Sequence, residues 1–249
     1  MRPLIAKIKP ASGFSRVVYI VFNVLLPLVV FALVRTNFVP LALVIILLSK
    51  WRMFAVRPRF WLANVRANAV DIIVSISLLT FMVHSDSQMF QFLWTAVYVV
   101  WLTVLKPASN TLMISLQALV GLVTGLMALF IGWGDGPLYG LVLLAGLVCY
   151  LSAHHFFDSF DEPYARLLSY VWGYFGASLV WVLGHWLLYY GIVAQPVLII
   201  ISLGFGLGTL YYLDHHDRLS DGLRKQFIFI MLAIIAIVIV FSDWGNKIV

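Results

Sequence analysis

The chain has 249 residues, 63% of them apolar and only 10% charged, with a mean hydropathy of +1.02. A soluble domain carries about 25% charged residues, so this composition has no means of covering a core in water, and a water-soluble globular fold is excluded. The 16 Lys and Arg outnumber the 10 Asp and Glu, giving a net charge of +6. They are divided among short segments with no aromatic-basic module, which argues against nucleic acid as a partner.

Crossing a hydrocarbon core about 30 Å thick takes roughly 20 apolar helical residues. Stretches free of Asp, Glu, Lys and Arg include Pro107 to Gly134 and Leu167 to Leu213, and the second must turn back at Gly191 to Pro196. In chain order the pattern predicts nine helices, at 17–34, 38–53, 67–83, 90–105, 111–131, 137–157, 164–190, 196–213 and 226–242. The expected fold is an all-α polytopic membrane bundle, a single transmembrane domain over residues 1–249. A basic N-terminal segment at 1–16 and a basic loop at 50–66 are its aqueous parts on the cytoplasmic side.

The first predicted helix follows Arg2, Lys7, Lys9 and Arg16, as a signal peptide would, but no A-x-A site follows Val34, so it is expected to be retained. The second has only Phe38 to Ser49 before Lys50, and spans if Lys50 and Arg52 snorkel or the bilayer thins. A re-entrant hairpin made by these two helices would leave seven full spans. Asn110 is placed to cap the fifth helix, and Pro137 and Pro163 sit where a missing N–H costs nothing.

With the N-terminus in the cytoplasm, fourteen of the 16 basic residues fall on that side and only Arg35 and Lys247 face out. This positive-inside bias predicts a multi-pass cell-membrane protein with its C-terminus outside. The lipid bilayer is its expected surrounding.

Helices in lipid associate through close backbone approach, so small residues mark the interfaces. Gly121 and Gly125 in the fifth helix, Ser169, Gly173 and Ala177 in the seventh, and Gly204, Gly206 and Gly208 in the eighth predict a packed centre. The ninth helix, almost wholly Ile and Val at its apolar end, reads as lipid-facing. Trp94, Trp133, Trp186 and Trp244 near outer ends, and Trp51, Trp61, Tyr164 and Tyr211 near inner ones, read as interfacial anchors.

Two polar features carry the functional expectations. Asn64, Asn68, Asp71 and Ser75 follow steps of four, three and four, which puts them on one face of the third helix. Asp71 lies about 6 Å beyond Ala67 along the axis, deep enough that its carboxylate should face protein or water, so Asn68, Asp71 and Ser75 form a candidate intramembrane polar site. The same stripe would also suit an ordinary helix contact at the interface.

The second feature is a pair of His and Asp clusters on the cytoplasmic side. His154, His155 and Asp158 close the sixth helix, while Asp214, His215, His216 and Asp217 close the eighth. Each follows a Tyr-Leu pair, a faint sign of a repeated two-helix unit. Imidazole and carboxylate together suit a divalent transition metal, with His154, His155, Asp158, His215, His216 and Asp217 as candidate ligands, or a proton relay. They are equally at home as solvated helix ends, and the spacing is neither H-E-x-x-H nor a set of desaturase histidine boxes.

Other cofactors find little support. No P-loop or Rossmann motif offers a nucleotide site. Every lysine lies at a predicted helix end or loop, so none is placed for a retinal Schiff base. Cys149 reads as a small hydrophobe, His185 as a packed side chain and His84 as solvated.

Three functions follow as expectations. The leading one is a small-solute or ion-coupled permease using Asp71. The others are a non-catalytic component of a membrane complex, with membrane-protein partners or a second copy of itself, and a metal-dependent enzyme at the His/Asp face.

Overall fold

A computed structural model describes residues 13–186, 189–190 and 193–243. Arg2, Lys7, Lys9, Trp244 and Lys247 lie outside the described residues. The elements in order are α1 (Gly13–Arg35), α2 (Val39–Ser49), two short 3₁₀ turns, α3 (Trp61–Ala67), α4 (Ala69–Val83), α5 (Gln88–Val100) continued by a π-turn (Trp101–Leu105), and α6 (Thr111–Trp133). Then come α7 (Leu138–Asp158), α8 (Ala165–Gly184), a small antiparallel ladder of β1 (Tyr189–Tyr190) and β2 (Val193–Ala194), α9 (Gln195–His215) and α10 (Asp221–Phe241). Apart from that ladder the regular structure is helical, as expected.

Seven helices are long and apolar enough to cross a membrane: α1, α5 with its π-turn, and α6 to α10. The remaining two predicted spans are short or broken. Helix α2 has 11 residues, about 17 Å of rise. The third predicted helix, 67–83, is α4 with 15 residues, and the expected basic loop 50–66 is itself partly helical: its end forms α3, which meets α4 at a break at Asn68 with a 62° bend. Helix α8 stops at Gly184, short of the expected residue 190, because Tyr189, Tyr190 and Val193, all good strand formers, pair across the turn.

Several ends carry visible signals. Asn110 caps α6 by accepting from Met113 N–H (3.1 Å), as its position predicted, and Ser87 and Ser220 do the same for α5 and α10. Helices α1, α7 and α9 each stop on a left-handed residue, Asn37 (φ 60°), Asp161 (φ 52°) and Asp217 (φ 53°). In each the following N–H reaches back five residues: Phe38 to Leu33 (2.8 Å), Glu162 to Phe157 (3.4 Å) and Arg218 to Leu213 (2.9 Å). These are Schellman stops built on Asn or Asp in place of Gly.

Two buried clusters share α6. One side holds Val30 and Val34 of α1, Ile46 of α2, Val74 and Leu78 of α4, and Tyr98 and Trp101 from α5 and its π-turn. The other holds Leu122 and Leu126 of α6, Ala145 and Cys149 of α7, Val180 of α8 and Ile200 of α9. Gly121 and Gly125 let α6 approach both neighbours, since a Cβ at Gly125 would lie 2.6 Å from Ile73 of α4 and 2.8 Å from Val148 of α7.

The tightest pair is α7 with α8. Gly146 faces Gly173, where a Cβ on Gly173 would come 3.1 Å from the Gly146 carbonyl oxygen. The sequence singled out Gly173 and Ala177 but not their partner Gly146. Helix α10 packs chiefly on α9, with Met231 seated over Gly206, and leaves most of its apolar surface exposed.

Candidate functional site

The centre of interest is the Asp71 carboxylate. It lies in the first turn of α4, where free backbone N–H groups and the positive end of the helix dipole favour an anion. Its Oδ2 receives the ammonium groups of Lys50 and, at 2.7 Å, Lys106, while its Oδ1 accepts the Trp101 indole N–H at 3.1 Å. The side chains of Lys50 and Asp71 are 5% and 9% exposed; that of Lys106 is 33% exposed.

Local structure explains how three chain segments meet there. Helix α2 ends after Ser49, so Lys50 caps its C-terminus, the end that attracts a cation. From the sequence, snorkelling by Lys50 and Arg52 is one of two ways for the second helix to span, the other being a thinner bilayer. Lys50 turns inward instead, because a buried carboxylate offers it more than the headgroup region when its stem has apolar neighbours. Residues 101 and 106 would stand about 140° apart on a regular α-helix. The π-turn, with Lys106 N–H bonded to Trp101 C=O (2.8 Å), stacks one over the other, so both reach the same carboxylate.

The polar stripe of the third predicted helix does not survive as one lining. Because the helix breaks at Asn68, Asn64 belongs to α3 and the lower members are spent on the chain itself. Asn68 donates to Asn64 C=O (2.9 Å), Asn64 donates to Met53 C=O (3.1 Å), and Ser75 donates to Asp71 C=O (2.6 Å). Of the candidate set Asn68, Asp71 and Ser75, Asp71 alone engages charge. Close by, the fully buried Tyr98 hydroxyl faces Ser75 and Asp71 without meeting hydrogen-bond geometry to either.

A second network steadies the turn that carries Lys106. Gln117 of α6 donates to Leu105 C=O (2.6 Å) and Ala108 C=O (3.0 Å), and its Oε1 lies 3.0 Å from His155 Nε2. Two carbonyl acceptors fix the amide orientation, so Oε1 is left to accept and His155 carries its proton on Nε2. His155 therefore reaches the Asp71 centre through Gln117 and the 105–108 turn.

The other histidine-cluster residues diverge. His154 packs edge-on against Tyr150 (5.9 Å between centroids), within electrostatic reach of Arg66, Asp158 and Arg166, and Asp158 also acts on His155. His215 lies against Phe160 (4.9 Å), and His216 stacks on Tyr212 (4.3 Å) while donating from Nδ1 to Tyr212 C=O. Asp217 is the left-handed stop of α9, and Asp158 ends α7. Among the described residues no three His, Cys, Asp or Glu side chains gather as a metal-binding group. The two helix ends are nevertheless neighbours: Phe156, Phe157 and Phe160 surround Tyr211, whose hydroxyl donates to Glu162. What they share is an aromatic contact and a common way of stopping a helix.

Sequence reasoning missed Lys50 and Lys106 as partners of Asp71. The available signal was an acid in an apolar helix facing two lysines, each closing another apolar helix on the same predicted side. No protein-family model matches this chain, and comparison with curated proteins and with solved structures finds no match.

Proposed function

We propose that this protein is a multi-pass membrane permease of the cell membrane, with its N-terminus in the cytoplasm, and that a small anionic solute binds at the Lys50, Asp71 and Lys106 cluster. The carrying observation is that two interrupted helical elements end at one buried ion cluster: the C-terminus of α2 at Lys50 and the N-terminus of α4 at Asp71. Broken helices whose ends meet around charge are how carriers build solute sites. Two ammonium groups against one carboxylate leave a net positive charge. The site therefore favours an anion that displaces Asp71 from Lys106, which narrows the small solute or ion expected from Asp71.

Seven long apolar helices, and Lys50, Arg66, Lys106 and Arg166 associated with one end of the bundle, support the membrane reading and its orientation. Counting the α3–α4 pair as one crossing element gives eight passes, and α2, about 17 Å long, gives a ninth where the bilayer thins around it. The test is flux into proteoliposomes: uptake of chloride, phosphate or a short carboxylate above protein-free vesicles, reduced by Lys106→Gln, is expected. Uptake of none of these anions above protein-free vesicles, or full flux in Lys106→Gln, overturns the reading.

A second reading has its own observation. Helix α10 packs chiefly on α9 and leaves a long apolar face open, which suits a non-catalytic component docking on a membrane partner or on another copy of itself. Chemical cross-linking in native membranes through cysteines placed on that face would capture such a neighbour.

A further inference from the structure

Helix α4 packs against both α5 and α6, while α5 and α6 make little contact with each other. Between them lies an apolar cavity of about 310 Å³, floored by Val74 and Leu78 and walled by Val97, Trp101, Leu105 and Val120. From Ala96 to Leu105 it follows about 13 Å of helix axis. Its inner end adjoins the ion cluster, and Trp101 belongs to both: the indole face lines the cavity while its N–H is bonded to Asp71.

Lys106 follows directly after Leu105, is one-third exposed, and directs one of its three N–H donors at Asp71. Gln117 holds the turn on which it stands. An apolar slot whose lining residues Trp101 and Leu105 lead to a carboxylate-bound ammonium that is one-third exposed matches an amphiphile bearing a chain and an anionic head.

We propose that the cleft between α5 and α6 holds an acyl chain of an anionic phospholipid, with its phosphate on Lys106. The inference rests on the membrane reading above and deepens it by naming the anion: a head group whose acyl chain, seated in the cleft, holds it on Lys106 against a soluble phosphate that lacks one. The net positive charge of the cluster selects an anionic lipid over a zwitterionic one, and the cleft selects a chain over a bare phosphate.

Native mass spectrometry of the full chain in detergent, titrated with phosphatidylglycerol or phosphatidylcholine of the same chains, tests this. Wild type should retain phosphatidylglycerol about fivefold more strongly, the size of a partly exposed ion pair. Lys106→Gln should abolish that preference and Lys106→Arg keep it. Ala96→Phe, at an exposed lining position, should fill the cleft and reduce retention of both lipids. Glycerol 3-phosphate should not displace the lipid. Equal retention of the two lipids by wild type, an unchanged preference in Lys106→Gln, unaltered binding in Ala96→Phe, or displacement by glycerol 3-phosphate would each overturn the proposal. Anion flux and lipid retention are separate readouts, so failure of the carrier reading leaves this one standing or falling on its own.

Discussion

Replacing Asp71 by Asn keeps the shape of the side chain and an oxygen for the Trp101 N–H, and removes only the charge. Lys106 can turn its ammonium toward solvent, but Lys50, 5% exposed, has no such exit. Removing one partner of a buried pair and stranding the other costs about 3–5 kcal/mol, and most of that should fall on Lys50. Lys50→Met should be milder, about 1–2 kcal/mol, because Asp71 keeps Lys106 and the methionine fills the stem's space. The double variant should then be more stable than Asp71→Asn alone, a coupling of about 2 kcal/mol or more. Reversible unfolding in mixed micelles, measured for wild type, both single variants and the double, reads this directly. An Asp71→Asn protein within about 1 kcal/mol of wild type, or strictly additive effects, would refute the claim that a buried carboxylate neutralises Lys50.

Gly173→Ala should loosen α7 from α8, since its Cβ would meet the Gly146 carbonyl oxygen and Tyr150; a loss of about 1–3 kcal/mol in the same unfolding measurement is expected. Asp217→Gly should leave stability unchanged or raise it, whereas Asp217→Ala should lower it by about 1 kcal/mol because of the left-handed backbone. A metal ligand would show the same loss with both, so the contrast between them decides the role. Gln117→Leu should remove the side-chain donor from the Leu105 and Ala108 carbonyls and the acceptor from His155, costing about 1–3 kcal/mol, and should increase protease access at the 105–110 segment.

The apolar runs and end signals made most helices readable from sequence. Hydropathy located the rods, and Asn110 and Gly121 did locally what their positions implied. What stayed hidden was register-dependent. A single π-rung at Trp101 and a break at Asn68 alter which side chains share a face, and neither Trp101 nor Asn68 announces that role. Lys50 was legible as an awkward charge at the end of a short run, yet whether it turns out or in depends on a carboxylate 21 positions away. The histidine clusters were noticed for their chemistry, while Asp161 and Asp217 at their ends serve backbone geometry, which composition alone does not distinguish from ligation.

Helix α10 packs chiefly on α9, and every residue of the ion cluster comes from positions 50 to 106, braced by Gln117 and His155. A ribosome feeding this chain into an insertion machinery would release all of those parts well ahead of α10. The charged centre can therefore close during translation, shielding its lysines early, while the late-arriving helix attaches to a body that is already assembled.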